Sequence, residues 1–375
     1  MELYIYDTEM TLLGVMDMLT SLVWTRRYWS CGEFKLLAPF TENHVRLLQK
    51  GRLVMKRGDD EAGQIQYVHI NKNGNGLEEI EVQGKFLLSW LGKRIVREQI
   101  IAAATAQEIL YRIVRENAVS PADESRAIPN LLISASDGVL GTETISYTSE
   151  AFINAQLACE DAAKAAALGL RVRTDRKARK HSFSVYQGRN LTIDQSAEPP
   201  CVFSQEYDNI TEQEYTNSVE NLKTTAYVGG EEKSGVQRQI AAVGGEYSGL
   251  NRAEVFVNAT DIVHSYKDKE SGNEITLTDA EYLAALEARG GTELQQYAET
   301  LGFASTINTH GNLKYREDYD VGDRVTCINK RWGIKINVRI TEVTETYQAG
   351  KEDIDVTFGE SLPALIDKLR QAMKG

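Results

Sequence analysis

Two stretches, Gly51-Arg52-Leu53-Val54-Met55-Lys56 and Gly322-Asp323-Arg324-Val325-Thr326-Cys327, each open a series of predicted strands in this chain of 375 residues. The strands that follow them are Ile65–Ile70 and Ile80–Gly84 in the first series, and Val338–Val343 and Ile354–Gly359 in the second. Apolar and polar residues alternate along both series, which is typical of sheets with one buried face. Any three-strand meander can produce such a match, but repeated units also recur in assembly architectures. We interpret the repeat as two small antiparallel barrels or strongly curved sheets.

The rest of the chain predicts an α+β fold, in which these two antiparallel β-barrel domains carry α/β insertions. Composition shifts and turn signals predict the domain limits. The predicted parts are a first β-barrel at 1–97, an α/β insertion at 98–195, a second β-barrel at 196–240 with 305–360, a helical and strand insertion at 241–304, and a C-terminal helix at 361–375.

Within the insertions, apolar spacing predicts a helix over Ala103–Asn117 and an Ala-rich helix over Ser149–Leu168. A hairpin then follows around the basic turn at 175–180. Thr278, with Glu281 three residues later, is typical of a capping box, and Gly290-Gly291 predicts a break between two helices over 278–301.

Charge is unevenly distributed along the chain. The net charge is −12, although residues 1–97 carry a small excess of basic over acidic residues. An acidic bulk argues against duplex DNA as the main partner, because affinity for DNA comes from basic side chains that neutralise phosphates. We therefore expect no sequence-specific binding of nucleic acid.

Four cysteines, Cys31, Cys159, Cys201 and Cys327, lie far apart without a C-x-x-C pair, so we expect buried reduced thiols. No stretch has the apolar length of a membrane span, and the N terminus lacks the basic start of a signal peptide. We expect the protein to be made in the cytoplasm and not to insert into a membrane.

Candidate catalytic patterns are weak. Asp261, His264 and Ser265 lie close in sequence, but a triad requires a base oriented in space by a third group, so a surface strand end is the better interpretation. The histidines have no zinc-ligand spacing. We predict no catalytic residues, no metal site and no cofactor, and hence a protein that is not an enzyme.

Three local features together resemble a known family. They are Trp24-Thr25-Arg26-Arg27-Tyr28-Trp29 with Gly32-Glu33-Phe34 and Ala38-Pro39-Phe40, then Glu61-Ala62-Gly63 leading to Ile80–Gly84, and finally Val321–Gly359. The pattern is similar to the tail-hub (tail-tip or baseplate-hub) structural proteins of tailed bacteriophages and prophage-derived particles, over nearly the whole chain.

This resemblance implies a homotrimer with two tube-like β-barrel domains per chain. Six such domains would form a pseudo-sixfold ring that joins the tail tube to the distal tail tip or baseplate. Implied partners are the tail tube or distal tail protein, the tape-measure protein and a downstream tail-tip or receptor-binding protein, with DNA passing through the lumen. The implied location is the virion tail, assembled in the bacterial cytoplasm. The alternative function is a tail-associated protein that binds or processes cell-wall carbohydrate.

Candidate assembly-interface residues are of two kinds. Trp24, Trp29 and Trp332 could anchor neighbouring subunits, although each could equally be a core residue. The basic stretch includes Arg173, Arg176, Lys177 and Arg179. It could contact an acidic subunit or DNA in the lumen, or it could be a hairpin tip that is kept soluble by its charge.

Overall fold

The computed structural model describes residues 1–72, 76–97, 99–134, 138, 140, 143–232, 237–267 and 274–359. The predicted C-terminal helix at 361–375 therefore lies outside the described residues. The first module, as we call residues 1–97, contains β1 (Leu3–Tyr6), β2 (Leu12–Met16), β3 (Ser21–Arg27), β4 (Glu33–Pro39), α1 (Glu42–Leu47), β5 (Leu53–Lys56), β6 (Ala62–Lys72) and β7 (Glu78–Phe86).

The remaining elements form two insertions and a second module. The first insertion contains β8 (Ile101–Ala104), α2 (Ala106–Val114), β9 (Leu131–Ile133), β10 (Ile145–Thr148), α3 (Ala155–Ala165), β11 (Gly169–Asp175) and β12 (Lys180–Tyr186). The second module begins with β13 (Val202–Phe203) and β14 (Ile210–Ser218). The second insertion contains β15 (Thr225–Gly229), β16 (Ile240–Gly244), β17 (Glu254–Asn258), β18 (Ser265–Lys267), β19 (Glu274–Thr276) and α4 (Asp279–Leu294). The second module is completed by β20 (Thr300–Ile307), β21 (Arg324–Asn329), β22 (Ile334–Gln348) and β23 (Lys351–Gly359).

One sheet runs through both modules. Its strand order is β14-β20-β23-β22-β3-β4-β7-β6-β5-β1-β2; in addition, β21 pairs with β22, and β13 pairs with β21. The sheet-rich α+β class is therefore confirmed. Its two ends, β14 and β2, do not pair with each other among the described residues, so closed barrels stay a prediction.

The internal repeat is present at the level of single hydrogen bonds. Gly51 N–H donates to Ile65 O and Gly322 N–H donates to Ile340 O, both at 2.8 Å. Both glycines have positive φ, +88° and +98°, which glycine adopts without a Cβ penalty. In return, Ile65 N–H donates to Arg52 O at 2.9 Å, and Ile340 N–H donates to Asp323 O at 2.8 Å. The two three-strand meanders are therefore structurally equivalent.

The predicted alignment of the middle strands was wrong by two residues. Sequence similarity aligned Ile65 with Val338, but the hydrogen bonds show that the equivalent residue is Ile340. A register irregularity follows each residue, between Ile65 and Tyr67 and between Ile340 and Glu342, where one extra residue enters the strand. A shift of two residues keeps the same side chains on the buried face, so alternation of apolar residues does not reveal it.

The equivalent glycines differ in their surroundings, which gives a matched pair of substitutions. A Cβ on Gly51 would meet no atom within 4 Å, whereas a Cβ on Gly322 would lie 2.5 Å from the ring of Tyr28. We expect Gly51→Ala to lower the free energy of unfolding by about 1–2 kcal/mol, from the left-handed backbone alone. Gly322→Ala should cost about 1–3 kcal/mol more, because it also overpacks a buried ring. Urea unfolding of both variants tests this, and equal losses would contradict it.

The buried apolar side chains form three clusters. The largest joins the first module to the first insertion, since Leu3, Trp24, Ile109 and Phe183 belong to the same core. The second fills the second module around Phe203, Phe303 and Phe358, and the third lies between α4 and its small sheet. Residues 98–195 thus share a core with residues 1–97.

The limits of the second insertion differ from the prediction. Strand β15 was expected in the second barrel, but it pairs with β16 and β17 in a separate three-stranded sheet. Strand β20 returns to the main sheet at Thr300. The excursion therefore covers residues 219–299 and not 241–304. A short apolar run predicts a strand but does not identify its partner.

The predicted break at Gly290-Gly291 was wrong, because α4 runs unbroken from Asp279 to Leu294. A Cβ on Gly290 would lie 2.6 Å from Val228 and 2.9 Å from Val243. This glycine lets the helix approach its sheet closely. The capping box of Thr278 and Glu281 is confirmed.

Candidate assembly surfaces

The two modules meet at a seam of paired strands, which we call the in-chain seam. Strand β22 pairs antiparallel with β3, with Glu342 opposite Arg27 and Gln348 opposite Ser21. At the centre of this pairing the hydroxyl oxygens of Thr25 and Thr344 lie 3.0 Å apart. The modules are therefore joined edge to edge by a backbone ladder and not by a linker.

A buried ion cluster crosses this seam. The Arg26 guanidinium donates to Glu61 at 2.6 Å within the first module, and to Asp320 at 3.0 Å and Tyr315 at 3.1 Å in the second. Burial opposes the charged form of Arg26, but Glu61 and its other neighbours hold the pKa of Arg26 well above its ordinary value. Arg26 therefore stays a cation that holds groups from both modules.

A second set of contacts converges on Asp59, whose side chain is fully buried. It accepts hydrogen bonds from Trp24 Nε1 at 3.1 Å and from Arg316 at 2.6 Å. Burial opposes ionisation of Asp59, but Arg26 and Arg316 hold its pKa below the ordinary value. Charged groups of the two modules thus compensate each other inside the seam.

The same region contains a buried lysine. Lys56 donates to Glu345 on β22, and Tyr347 donates to the same carboxylate at 2.5 Å. Burial lowers the pKa of Lys56 although Glu345 and Asp59 oppose that shift. Removing one partner from such a group leaves an uncompensated buried charge, so the cluster opposes separation of the modules.

The three tryptophans have different surroundings. Trp24 is fully buried between Phe34 and Phe86, so it is a core residue and not a surface anchor. Trp29 is half-buried and packs against both module cores. Trp332 is 47% exposed at the turn between β21 and β22. Of the three, Trp332 is the most open to a partner.

The basic residues lie on the hairpin of β11 and β12, which docks on the first module. Arg173 Nε lies 3.2 Å from Asp60, and the Arg176 guanidinium lies 5.2 Å from the ring centre of Tyr4. Lys177 and Arg179 at the tip are exposed. The base of the hairpin is therefore held within the chain, whereas its tip faces solvent.

One buried histidine on this hairpin gives a pH prediction. His181 is fully buried against Trp90, and burial lowers its pKa to about 4, with a smaller contribution from Lys180. The unfolded chain binds this proton near pH 6.5 and the folded chain only near pH 4. We therefore expect the free energy of unfolding to fall by about 1–2 kcal/mol from pH 7 to pH 5 through this group. Denaturant titrations should show a smaller loss in His181→Gln, and an equal loss would contradict the prediction.

The residues considered for a catalytic triad do not come together. His264 Nδ1 lies 2.8 Å from Glu231, and Ser265 lies 3.0 Å from Thr276. Asp261 pairs with the buried Arg289 at 3.0 Å and accepts from Gln99 at 2.9 Å, which ties the second insertion to the first. Each group has a separate structural partner.

The remaining chemical expectations concern cysteines, metals and membranes. All four cysteines are free and buried, as expected, and burial raises the pKa of Cys31 to about 12. Within the described ranges, no group of three His, Cys, Asp or Glu side chains could hold a metal ion. None of the described helices combines the length and apolar character that crossing a bilayer requires.

The fold is that of prophage tail proteins. The tail protein of Neisseria meningitidis MC58 has a TM-score of 0.56 and 12% identity, with 96% of both chains covered. The 43 kDa tail protein of prophage MuSo2 from Shewanella oneidensis has the same score and identity, covering 96% of this chain and 98% of that one. The prophage tail protein gp18 of Listeria monocytogenes EGD-e has a TM-score of 0.52 and 11% identity, covering 100% and 99%.

The sequence matches the family of Siphovirus ReqiPepy6 Gp37-like proteins over residues 2–360, and the chain belongs to that family. No curated protein matches the sequence significantly. The resemblance to phage tail proteins, drawn from the sequence motifs, is thereby confirmed.

Proposed function

We propose that this protein is a structural tail hub, which forms a trimeric pseudo-sixfold ring joining the tail tube to the distal tail tip or baseplate. One observation carries the proposal: two modules with equivalent meanders are joined edge to edge by β3 and β22. A chain built in this way presents similar surfaces twice. Three chains then supply six similar units, which is what docking to a sixfold tube requires.

The in-chain seam supplies the geometry for each step around the ring. A heterologous contact that repeats and returns to its start closes a ring, whereas one that does not close gives a filament. The buried cluster around Arg26 and Asp59 holds the angle between the two modules. A fixed angle within the chain favours closure at one number of copies.

The finer organisation belongs to the same proposal. We assign the main-sheet strands to two tube-like barrel domains, whose sheets close only when the ring forms. The two insertions are additional domains attached to this ring. The expected neighbours are the tail tube, the tape-measure protein and the distal tip proteins in the virion tail. The exposed Trp332 and the hairpin tip at Lys177 and Arg179 are proposed contacts with those neighbours. The role is structural and not enzymatic.

Native mass spectrometry and electron microscopy of the full chain, alone and co-expressed with the tube and distal tip proteins, test this function. We expect a trimer and a threefold ring with an open lumen. A chain that remains monomeric under every one of these conditions would overturn the proposal.

A further inference from the structure

Among the strand edges that are unpaired in the described residues, those of β14 and β6 belong to the repeated parts of the main sheet. Strand β14, at one end of the main sheet, pairs only with β20. Strand β6 pairs with β5 over Ala62–Gln64, and beyond that point it has a partner only on the β7 side. Tyr67 and Ile70 on this free edge are 47% and 45% exposed. A long exposed edge of this kind is a template for pairing with another chain.

The repeat identifies what each free edge corresponds to. Because Ile65 is equivalent to Ile340, the free part of β6 corresponds to the part of β22 that pairs with β3 in the in-chain seam. On the other side of the meanders, β4 pairs with β7 as β20 pairs with β23. Phe34 of the first module is therefore the equivalent of Phe303 of the second, and both are buried.

The same step extends to the next strand. Strand β3 pairs with β4 as β14 pairs with β20, so β14 corresponds to β3. By this register, Tyr215 is the equivalent of Trp24, and Thr216 is the equivalent of Thr25. The two free edges are therefore the equivalents of the two strands that already pair within the chain.

We propose that β6 of one copy pairs antiparallel with β14 of the next copy, in the register of the in-chain seam. This inference rests on the proposed function and specifies its subunit contact. The register of β22 on β3 transfers directly: His69 lies opposite Thr216, Ile70 opposite Tyr215, and Tyr67 opposite Ser218. The occupant of each edge is a second copy of this chain.

The side chains along the edges fit this pairing. Ile70 opposite Tyr215 makes a β-branched and aromatic cross-strand pair, which is a favourable type. Self-pairing of β14 would instead bring together the exposed acids Glu212 and Glu214 of two copies. The β6 edge carries no carboxylate from Gln66 to Lys72. The pairing is therefore favoured between unlike edges, as a ring requires.

Three charges of the ion cluster have neutral counterparts at the intersubunit seam. Glu345 is equivalent to Ile70, Arg26 to Asn217, and Lys56 to Cys327. Copies can thus join without burying these three charges. The charged seam is kept for the contact that forms once, during folding of each chain.

Cysteine cross-linking tests the register in the full chain. We expect His69→Cys with Thr216→Cys to convert monomer to covalent dimer and closed trimer on a non-reducing gel under mild oxidation. Thr25→Cys with Thr344→Cys is the matched in-chain control, which should form a disulfide without changing size, because those hydroxyls lie 3.0 Å apart. Ile70→Cys with Thr216→Cys is the out-of-register control, because its side chains lie on opposite faces. The four native thiols are buried and contribute little background.

The outcomes separate this inference from the proposed function. Dimer and trimer bands for the in-register pair alone support the seam. A trimer by native mass spectrometry without these cross-links, while the in-chain control oxidises, overturns the seam but leaves the hub. Equal cross-linking of the in-register and out-of-register pairs also overturns the register. Failure to assemble under any condition removes both.

Discussion

We expect the replacement of Arg26 by methionine to lower the free energy of unfolding by about 3–5 kcal/mol, because it leaves the buried Glu61 without its cation. The side chain of Arg26 is only 7% exposed, so water does not replace the lost contacts. The variant also loses the bonds to Asp320 and Tyr315 that hold the second module. Urea unfolding followed by circular dichroism measures the loss.

A double-mutant cycle separates the charge pair from packing. Glu61→Gln alone should cost less, since Arg26 keeps Asp320 and Tyr315 as partners. The double variant Arg26→Met with Glu61→Gln should be more stable than the sum of the two losses predicts, because no buried charge then lacks its partner. Additive losses would show that the pair does not act as a unit.

Trp24→Ala is expected to lower the free energy of unfolding by about 3–5 kcal/mol, the usual cost of a large core aromatic. Trp24 is fully buried, contacts two phenylalanine rings and donates to Asp59. Trp332→Ala, at a 47% exposed site, should change stability by less than about 0.5 kcal/mol. Denaturant titrations of both variants measure the contrast.

The same pair of variants separates folding from docking. Trp332→Ala should fold and form the ring normally, and it should lose binding to a neighbouring tail protein if that indole is a contact. A stable Trp24→Ala protein that fails to assemble would contradict the core assignment, since it would make Trp24 an interface residue.

Local sequence patterns predicted the meanders, the basic hairpin, the helix that begins with a capping box, and the buried thiols. Each depends on residues close together in the chain, such as Thr278 with Glu281, or the alternation along Ile80–Gly84. The repeat itself was visible because Gly51 and Gly322 occupy equivalent positive-φ turns. The register of the middle strand was not, because a shift of two residues leaves the alternation of buried and exposed side chains intact.

The ion cluster could not be predicted from the sequence. Arg26 and Asp320, or Lys56 and Glu345, are separated by most of the chain, and charged residues are ordinarily expected on the surface. The break predicted at Gly290 was wrong for a related reason. A glycine between helical residues predicts a break unless the facing sheet, here Val228 and Val243, is known to require its small size.

The two modules differ in the length of one equivalent link, and this has a consequence for the symmetry of the proposed ring. Residues 28–32 link β3 to β4 in a short turn, whereas residues 219–299 occupy the equivalent link between β14 and β20. In the proposed ring every second such link would then carry a folded outgrowth. Three such outgrowths, one from each chain, would reduce the sixfold repeat of the modules to threefold symmetry.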